Sequence, residues 1–466
     1  MSDADLIIVG AGAKAAAIAA KVHALNSLEP GTIRLTIIEA NKRAASWAGE
    51  NGMTSGEEPL AVPPIKDVGY PYESHELFGE LGDALDHAVM SLSWQQYLIG
   101  KREYARWVNA GSPAVRHRDF GEYLNWVFSR ASAGVNHVSG RVTQVSLREP
   151  DEQWVVDVAE PSGTKQYAGN ALVLTGPGVH RHLPHDQEAA SRMFHNDSRR
   201  SDIAAAIPTG ASCEVAIVGG GESALSCAVF LREFRPDAIL TIYTPTLPLS
   251  RGESFVEDRV FSNPDEVGWS SLDQQMRRDF IRHCDCGVFD AGSLATIARD
   301  DHVRFIIGRA VHVAAQDSGD GIRLDYVSSE GVNSDPHDFI VNCTGFDLLE
   351  QLRGLFPEEL RAVIERRVGQ LWDRPPEAEV SFGRFLELEG MRPRLQIPGL
   401  AGLSQGPGFA NLGCLGLLSN RVLAPLLLRP GAHADPDGSA RDSAPVPHES
   451  TPADDPDTKQ SVTPAT

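Results

Sequence analysis

The same punctuation occurs twice in this chain, and few folds accommodate it: a short apolar run, closely spaced glycines, then a stretch of strong helix formers. The first copy is Asp5-Leu6-Ile7-Ile8-Val9, then Gly10-Ala11-Gly12-Ala13-Lys14-Ala15, then an Ala-rich segment to about Asn26. An apolar run of that length suits a strand buried in a parallel sheet. Gly10 permits a tight turn, Gly12 lets a pyrophosphate approach the backbone, and Ala15 lets helix and strand pack closely. The helix that follows offers free N–H groups and the positive end of its dipole to phosphate. A second apolar run, Ile33 to Ile38, ends at Glu39, where a carboxylate accepts the hydroxyls of an adenosine ribose. Strand, loop, helix, strand and terminal acid in this order predict a dinucleotide-binding fold of the Rossmann type.

The second copy runs from Glu214 to Val218, through Gly219-Gly220-Gly221-Glu222-Ser223-Ala224, into a helix to about Phe234. Its next strand, Ile239 to Tyr243, ends in Tyr243-Thr244-Pro245 without a carboxylate. An acid at that place would repel the 2′-phosphate of NADP. The first site therefore suits FAD and the second NADPH, with Arg251 downstream as a partner for the 2′-phosphate. Each loop has a distant echo, an apolar strand ending in Thr-Gly: Ala171 to Gly176 for the first, Phe339 to Gly345 for the second. The economical account is an α/β chain of two Rossmann-like domains, the second inserted in the first. The FAD domain is expected over 1–205 and 338–430, with a small, mostly helical substrate-binding region. The NADPH domain is expected over 206–337.

Composition narrows the function. Acidic residues outnumber basic ones 63 to 42 in 466 residues, a formal charge of −21, which argues against nucleic acid as a partner. Residues 431–466 are expected to be a disordered, acidic, Pro-rich tail. Six cysteines make no disulfide framework in so long a chain. The acidic N-terminus is unlike a signal peptide, and Ser419-Asn420-Arg421 interrupts the best candidate for a membrane span. A cytoplasmic protein is expected. His180, His182 and His185 have no acid or cysteine at ligand spacing, and no metal is expected.

A flavin and a nicotinamide in one chain imply hydride transfer from NADPH to FAD. A disulfide reductase needs a redox CxxC; the close pair here is Cys284-Asp285-Cys286, a CxC. The remaining fate of the reduced flavin is oxygen, through a C4a-hydroperoxyflavin. The chain resembles the flavin-dependent N-hydroxylating monooxygenases of siderophore biosynthesis, in particular lysine N6-hydroxylases of the mycobactin and nocobactin type. The likeness rests on the first loop with Lys14-Ala15, on Ile65-Lys66-Asp67-Val68-Gly69-Tyr70-Pro71-Tyr72, and on Ser93-Trp94-Gln95-Gln96-Tyr97-Leu98. It continues through Arg251-Gly252-Glu253-Ser254-Phe255, Phe261-Ser262-Asn263-Pro264, Gln405-Gly406-Pro407-Gly408-Phe409-Ala410-Asn411 and Leu415-Gly416-Leu417-Leu418-Ser419.

The resemblance implies that Lys66 holds the carboxylate of an amino-acid substrate, that Asp258 serves its α-amine and that Ser419 lies near its side-chain amine. It implies L-lysine as substrate, with L-ornithine as the alternative, molecular oxygen as co-substrate, and a homo-oligomer, dimer or tetramer. No side chain is expected to act as a covalent or acid–base catalyst, because the cofactor performs the chemistry. The cofactor-binding set expected is Gly10, Gly12, Ala15, Glu39, Trp47 and Gly408 with Gly219, Gly221, Glu222, Ser223, Ala224 and Arg251. Three positions depart from the family pattern. Asp258 replaces an Asn, Ala61 replaces a Gln near flavin and nicotinamide, and Asn342-Cys343-Thr344-Gly345-Phe346 replaces a Leu-Ala-Thr-Gly-Tyr stretch. These departures predict weaker coupling, with more reduced flavin lost as hydrogen peroxide.

Overall fold

The structure is a computed structural model that describes residues 3–52, 54–148, 152–209, 212–316, 321–373 and 380–427. The tail expected over 431–466 lies outside these residues. The strand Asp3–Val9 runs into the helix Ala13–Leu28 and on to the strand Leu35–Glu39, as the first glycine loop requires. These two strands pair in parallel, Leu6 opposite Leu35. On its other side Asp3–Val9 pairs in parallel with Gly163–Leu174, Leu6 opposite Ala171. The first echo is thus the neighbouring strand of the first loop. The sheet order is Val135–Ser139, Leu35–Glu39, Asp3–Val9, Gly163–Leu174, Gln153–Glu160, Arg141–Arg148, with Arg394–Gln396 also paired to Gly163–Leu174.

The second sheet repeats the plan. Its order is Val303–Ile307, Ala238–Thr244, Cys213–Val218, Phe339–Asn342, Met193–His195, all in parallel. The second echo sits beside its own loop strand, Asn342 opposite Val218. Sheet membership sets this inserted fold wider than 206–337. Met193–His195, before residue 206, and Phe339–Asn342, after residue 337, are both among its strands. A three-stranded antiparallel sheet, Arg309–Ala315, Ile322–Ser328 and Gly331–His337, belongs to the excursion between Val303–Ile307 and Phe339–Asn342. No helix among the described residues is long and apolar enough to cross a membrane.

The helix Ala13–Leu28 is buried on nearly every side, as a helix apolar all round must be. It packs against the last helix, Leu415–Leu427. Two buried residues, Lys21 and Asn26, break the apolar rule. Lys21 is fully buried, and its ammonium donates to Ser74 Oγ at 2.5 Å and to Asp86 Oδ1 at 3.2 Å. Ser74 Oγ in turn lies 2.9 Å from Asn420 Oδ1 in the last helix. Burial lowers the Lys21 pKa, opposed by the charge and hydrogen bond of Asp86. Lys21→Met leaves the Asp86 carboxylate buried without its counter-charge and should destabilise the protein by about 3–5 kcal/mol. Chemical denaturation checks this, and the double variant Lys21→Met/Asp86→Leu should recover most of the loss.

Candidate active site

The two glycine loops open onto one cleft of about 1330 Å³. Gly10, Gly12, Lys14, Glu39 and Trp47 line it from the first fold, and Glu222, Ser223, Arg251 and Asp285 from the inserted one. Gly10 has φ +100, and a Cβ there would press on Thr175 Oγ1. A Cβ on Gly12 would meet nothing within 4 Å, so the backbone there is bare toward the open cleft. Glu39 reaches back across the loop, accepting from Ala11 N at 2.7 Å and from Asn41 N at 2.8 Å. A bare turn, a free helix N-terminus and a carboxylate at the strand end fit an adenine dinucleotide such as FAD. Trp47 meets His117 edge-on at 5.4 Å, and both rings border the cleft.

In the second loop Gly219 has φ +153, and a Cβ there would press on Cys343 O. Gly221 precedes the helix Glu222–Phe234 as its N-cap. Arg251 faces the cleft between two acids, with Glu222 Oε1 at 3.7 Å and Glu253 Oε1 at 3.2 Å. Burial, partly offset by Arg251, pushes the Glu222 carboxyl up to about 7. Not every expected residue meets the cleft. Ala15 and Ala224 are fully buried in the two cores, where their size allows close packing. Gly408 is buried and backs onto Phe261 O, where a Cβ would clash; it is a packing position. Ser419 is fully buried, and its hydroxyl donates to Gly416 O one turn back at 2.8 Å.

Lys66 and Asp258 come together from opposite parts of the chain. The Lys66 side chain is 8% exposed, and its ammonium forms an ion pair with Asp258 Oδ1. The same ammonium donates to Ser262 Oγ at 3.2 Å and lies 5.5 Å from the Tyr70 ring centroid. Tyr70 OH donates to Ser262 Oγ at 3.1 Å. Asp67 fastens the loop that carries Lys66. Its buried carboxylate accepts from Trp94 N at 2.8 Å, Tyr72 OH at 2.8 Å and Gly69 N at 3.1 Å. Burial pushes this carboxyl up to about 6 against those hydrogen bonds. Gly416 N donates to Tyr70 O at 2.7 Å, docking the last helix on the loop. Asp258 and Ser262 share the helix Phe255–Ser262, begun by a Ser254–Glu257 capping box.

Sequence reasoning missed Tyr70 and Ser262 as partners of Lys66, although both stand in segments that carried the resemblance. It also missed Lys14 as a functional group. Lys14 is half-buried, lines the cleft and donates to Ala410 O at 2.7 Å. Burial pulls its pKa down to about 8, opposed by Asp285 and Cys414. A lysine in the first turn of an otherwise apolar helix was the available signal.

Two dinucleotide folds sharing one cleft define an oxidoreductase built for a flavin and a nicotinamide. A sequence profile described as L-lysine 6-monooxygenase/L-ornithine 5-monooxygenase matches residues 85–347. The L-lysine N6-monooxygenase MbtG of Mycobacterium sp. (strain MCS) is 33% identical over 428 residues, covering 90% of this chain and 94% of the relative. MbtG of Mycobacterium tuberculosis (strain ATCC 25618 / H37Rv) is 32% identical over 442 residues, covering 92% and 96%. The solved lysine monooxygenase NbtG from Nocardia farcinica superposes with a TM-score of 0.76 at 31% identity, over 90% of this chain and 99% of that one. The chain belongs to the L-lysine 6-monooxygenase/L-ornithine 5-monooxygenase family.

Glu222 should make nucleotide binding at the second loop sensitive to pH. Its carboxyl pKa, raised to about 7, leaves it mostly neutral below that value and anionic above it, where it repels phosphate. Wild-type affinity for NADP⁺ should therefore fall, relative to Glu222→Gln, as pH rises through about 7. Fluorescence titration of both proteins across that range measures it; parallel profiles would refute it.

Proposed function

We propose that this chain is an FAD- and NADPH-dependent monooxygenase that hydroxylates the side-chain amine of L-lysine at N6 in the cytoplasm, with molecular oxygen as co-substrate, for siderophore biosynthesis. The observation that carries the reading is the Lys66–Asp258 pair, in a chain one-third identical to MbtG over nine-tenths of its length. An amino acid presents a carboxylate and an ammonium on one carbon. Entering between Lys66 and Asp258, it exchanges one ion pair for two, and no buried charge is left uncompensated. Ser262 and Tyr70 keep the Lys66 ammonium oriented while Asp258 turns to the α-ammonium.

FAD at the first loop, reduced by NADPH at the second, supplies the oxygen-transfer chemistry when bound. The chain supplies placement and desolvation. A substrate ammonium, ordinarily near pKa ~10.4, must become neutral to react as a nucleophile. Lys14, on the cleft wall, has its own pKa lowered to about 8 by desolvation, the same direction of effect. Arg251 offers the 2′-phosphate a cation already directed at the cleft.

The purified, FAD-loaded protein should form N6-hydroxylysine with NADPH, and should use L-ornithine less well by roughly 10- to 200-fold, the span that one methylene allows. Comparable turnover of ornithine would reassign the substrate. Lys66→Met should raise the KM for lysine roughly 10- to 100-fold, the value of a charge-assisted hydrogen bond, while flavin reduction by NADPH without lysine stays unchanged. Ala61 lines the cleft where the family carries a Gln. Peroxide formed per NADPH should accordingly exceed that of Ala61→Gln; equal yields would remove the departure as a cause of uncoupling.

A further inference from the structure

Glu257, His283 and Cys284 take no part in the function above, and none of them lines the cofactor cleft. Their ligand atoms, a carboxylate oxygen, an imidazole nitrogen and a thiol sulfur, all lie within 4.8 Å of one another. No other trio of His, Cys, Asp or Glu among the described residues does so. The sequence showed only a CxC segment here; Glu257 comes from a different helix. His283 Nε2 is 2.7 Å from Glu257 Oε1, and the other Glu257 oxygen accepts from Ser254 N at 2.5 Å. Cys284 ends the helix Gln274–Cys284 and is 1% exposed, whereas the His283 side chain is 61% exposed. Gly252 supplies an independent observation. Its N–H donates to His283 O at 3.0 Å, and a Cβ on it would press on His283 Nε2 and lie 2.6 Å from Glu257 Oε1. The Gly252 backbone packs directly against two of the three ligand groups, and a side chain there would push them apart.

We propose that Glu257, His283 and Cys284 bind one divalent cation of the zinc class, with water as the fourth ligand. Carboxylate, imidazole and thiolate together form a borderline donor set that favours such an ion over magnesium or calcium. Metal–ligand bonds of about 2.0–2.3 Å place tetrahedral ligand atoms roughly 3.3–3.7 Å apart, so binding opens the 2.7 Å His283–Glu257 contact and draws in any pair near the 4.8 Å limit. A thiol binds a cation as thiolate, so the cation displaces the Cys284 proton to solvent, and affinity rises with pH. Its place matters for turnover: Glu257 adjoins Asp258 on the amino-acid helix, and Gly252 adjoins Arg251. An ion here pins the start of that helix to the end of Gln274–Cys284.

The test uses tag-free, full-length, FAD-loaded protein treated with chelator and then titrated with Co²⁺. It should take up one ion per chain, show the visible bands of tetrahedral cobalt at longer wavelength than the flavin, release one proton, and lose the bands to Zn²⁺. Cys284→Ser and His283→Ala should each abolish the bands and weaken Zn²⁺ binding by more than about 10-fold, the low end of what even outer-sphere changes cost. Cys286→Ser should change neither. Retained FAD and circular dichroism establish that each variant is folded; should Cys284→Ser fail this check, exposed His283→Ala decides. No uptake, bands that survive His283→Ala, or bands lost in Cys286→Ser would overturn the proposal.

Discussion

A strand buried on both faces must find hydrogen-bond partners on both edges, because unpaired backbone groups are costly away from water. Both strands that feed a glycine loop meet this demand by reaching far along the chain. Asp3–Val9 takes Gly163–Leu174 as one neighbour, and Cys213–Val218 takes Phe339–Asn342. The second pair forms wholly within the excursion between Gly163–Leu174 and Arg394–Gln396, both strands of the first sheet. Insertion of one fold in the other is the consequence. Both loops then stand at the carboxyl ends of parallel strands, where open α/β sheets bind their ligands, and both border one cleft.

On this frame the proposed amino-acid site is assembled from pieces that neither fold owns alone. Asp67 spends a buried carboxylate on three hydrogen bonds to hold the Lys66 loop, and Gly416 lets the last helix press against that loop. Across from it, the helix Phe255–Ser262 of the inserted segment brings Asp258 and Ser262 to the same ammonium. Gly408 backs onto Phe261 O in this helix. Glycine thus has two uses here: Gly12 leaves its backbone bare toward the cleft, and Gly408 and Gly416 allow close approach between segments.

The local grammar of the loops was legible because it follows short-range steric rules. Gly10, Gly12 and Glu39 stand where spacing places them. The packing role of Ala15 was also readable from residue size, whereas Ala224, expected at the cofactor, is buried in the second core. Ser419 was not: its position on the last helix was clear, but its partner, Gly416 O, depends on which face of the helix turned inward. The edges of the inserted fold were blurred for a similar reason. Met193–His195 is only three residues long, too short to show a period, and becomes a strand because Phe339–Asn342 offers it a free edge.

By itself the sequence determined that two dinucleotide loops must form, since glycine spacing, apolar runs and the acid at Glu39 act within a few residues of one another. It also singled out Lys66, in a segment that carries the family resemblance, and Asp258, where the family pattern has an Asn. Only the tertiary structure decided that these two residues pair, that Lys14 and Arg251 face one cleft, and that Glu257 meets His283 and Cys284. Those outcomes depend on distances between segments far apart in the chain. Packing sets them, through buried strands seeking partners and buried charges seeking counter-charges, and no local pattern records where such searches end.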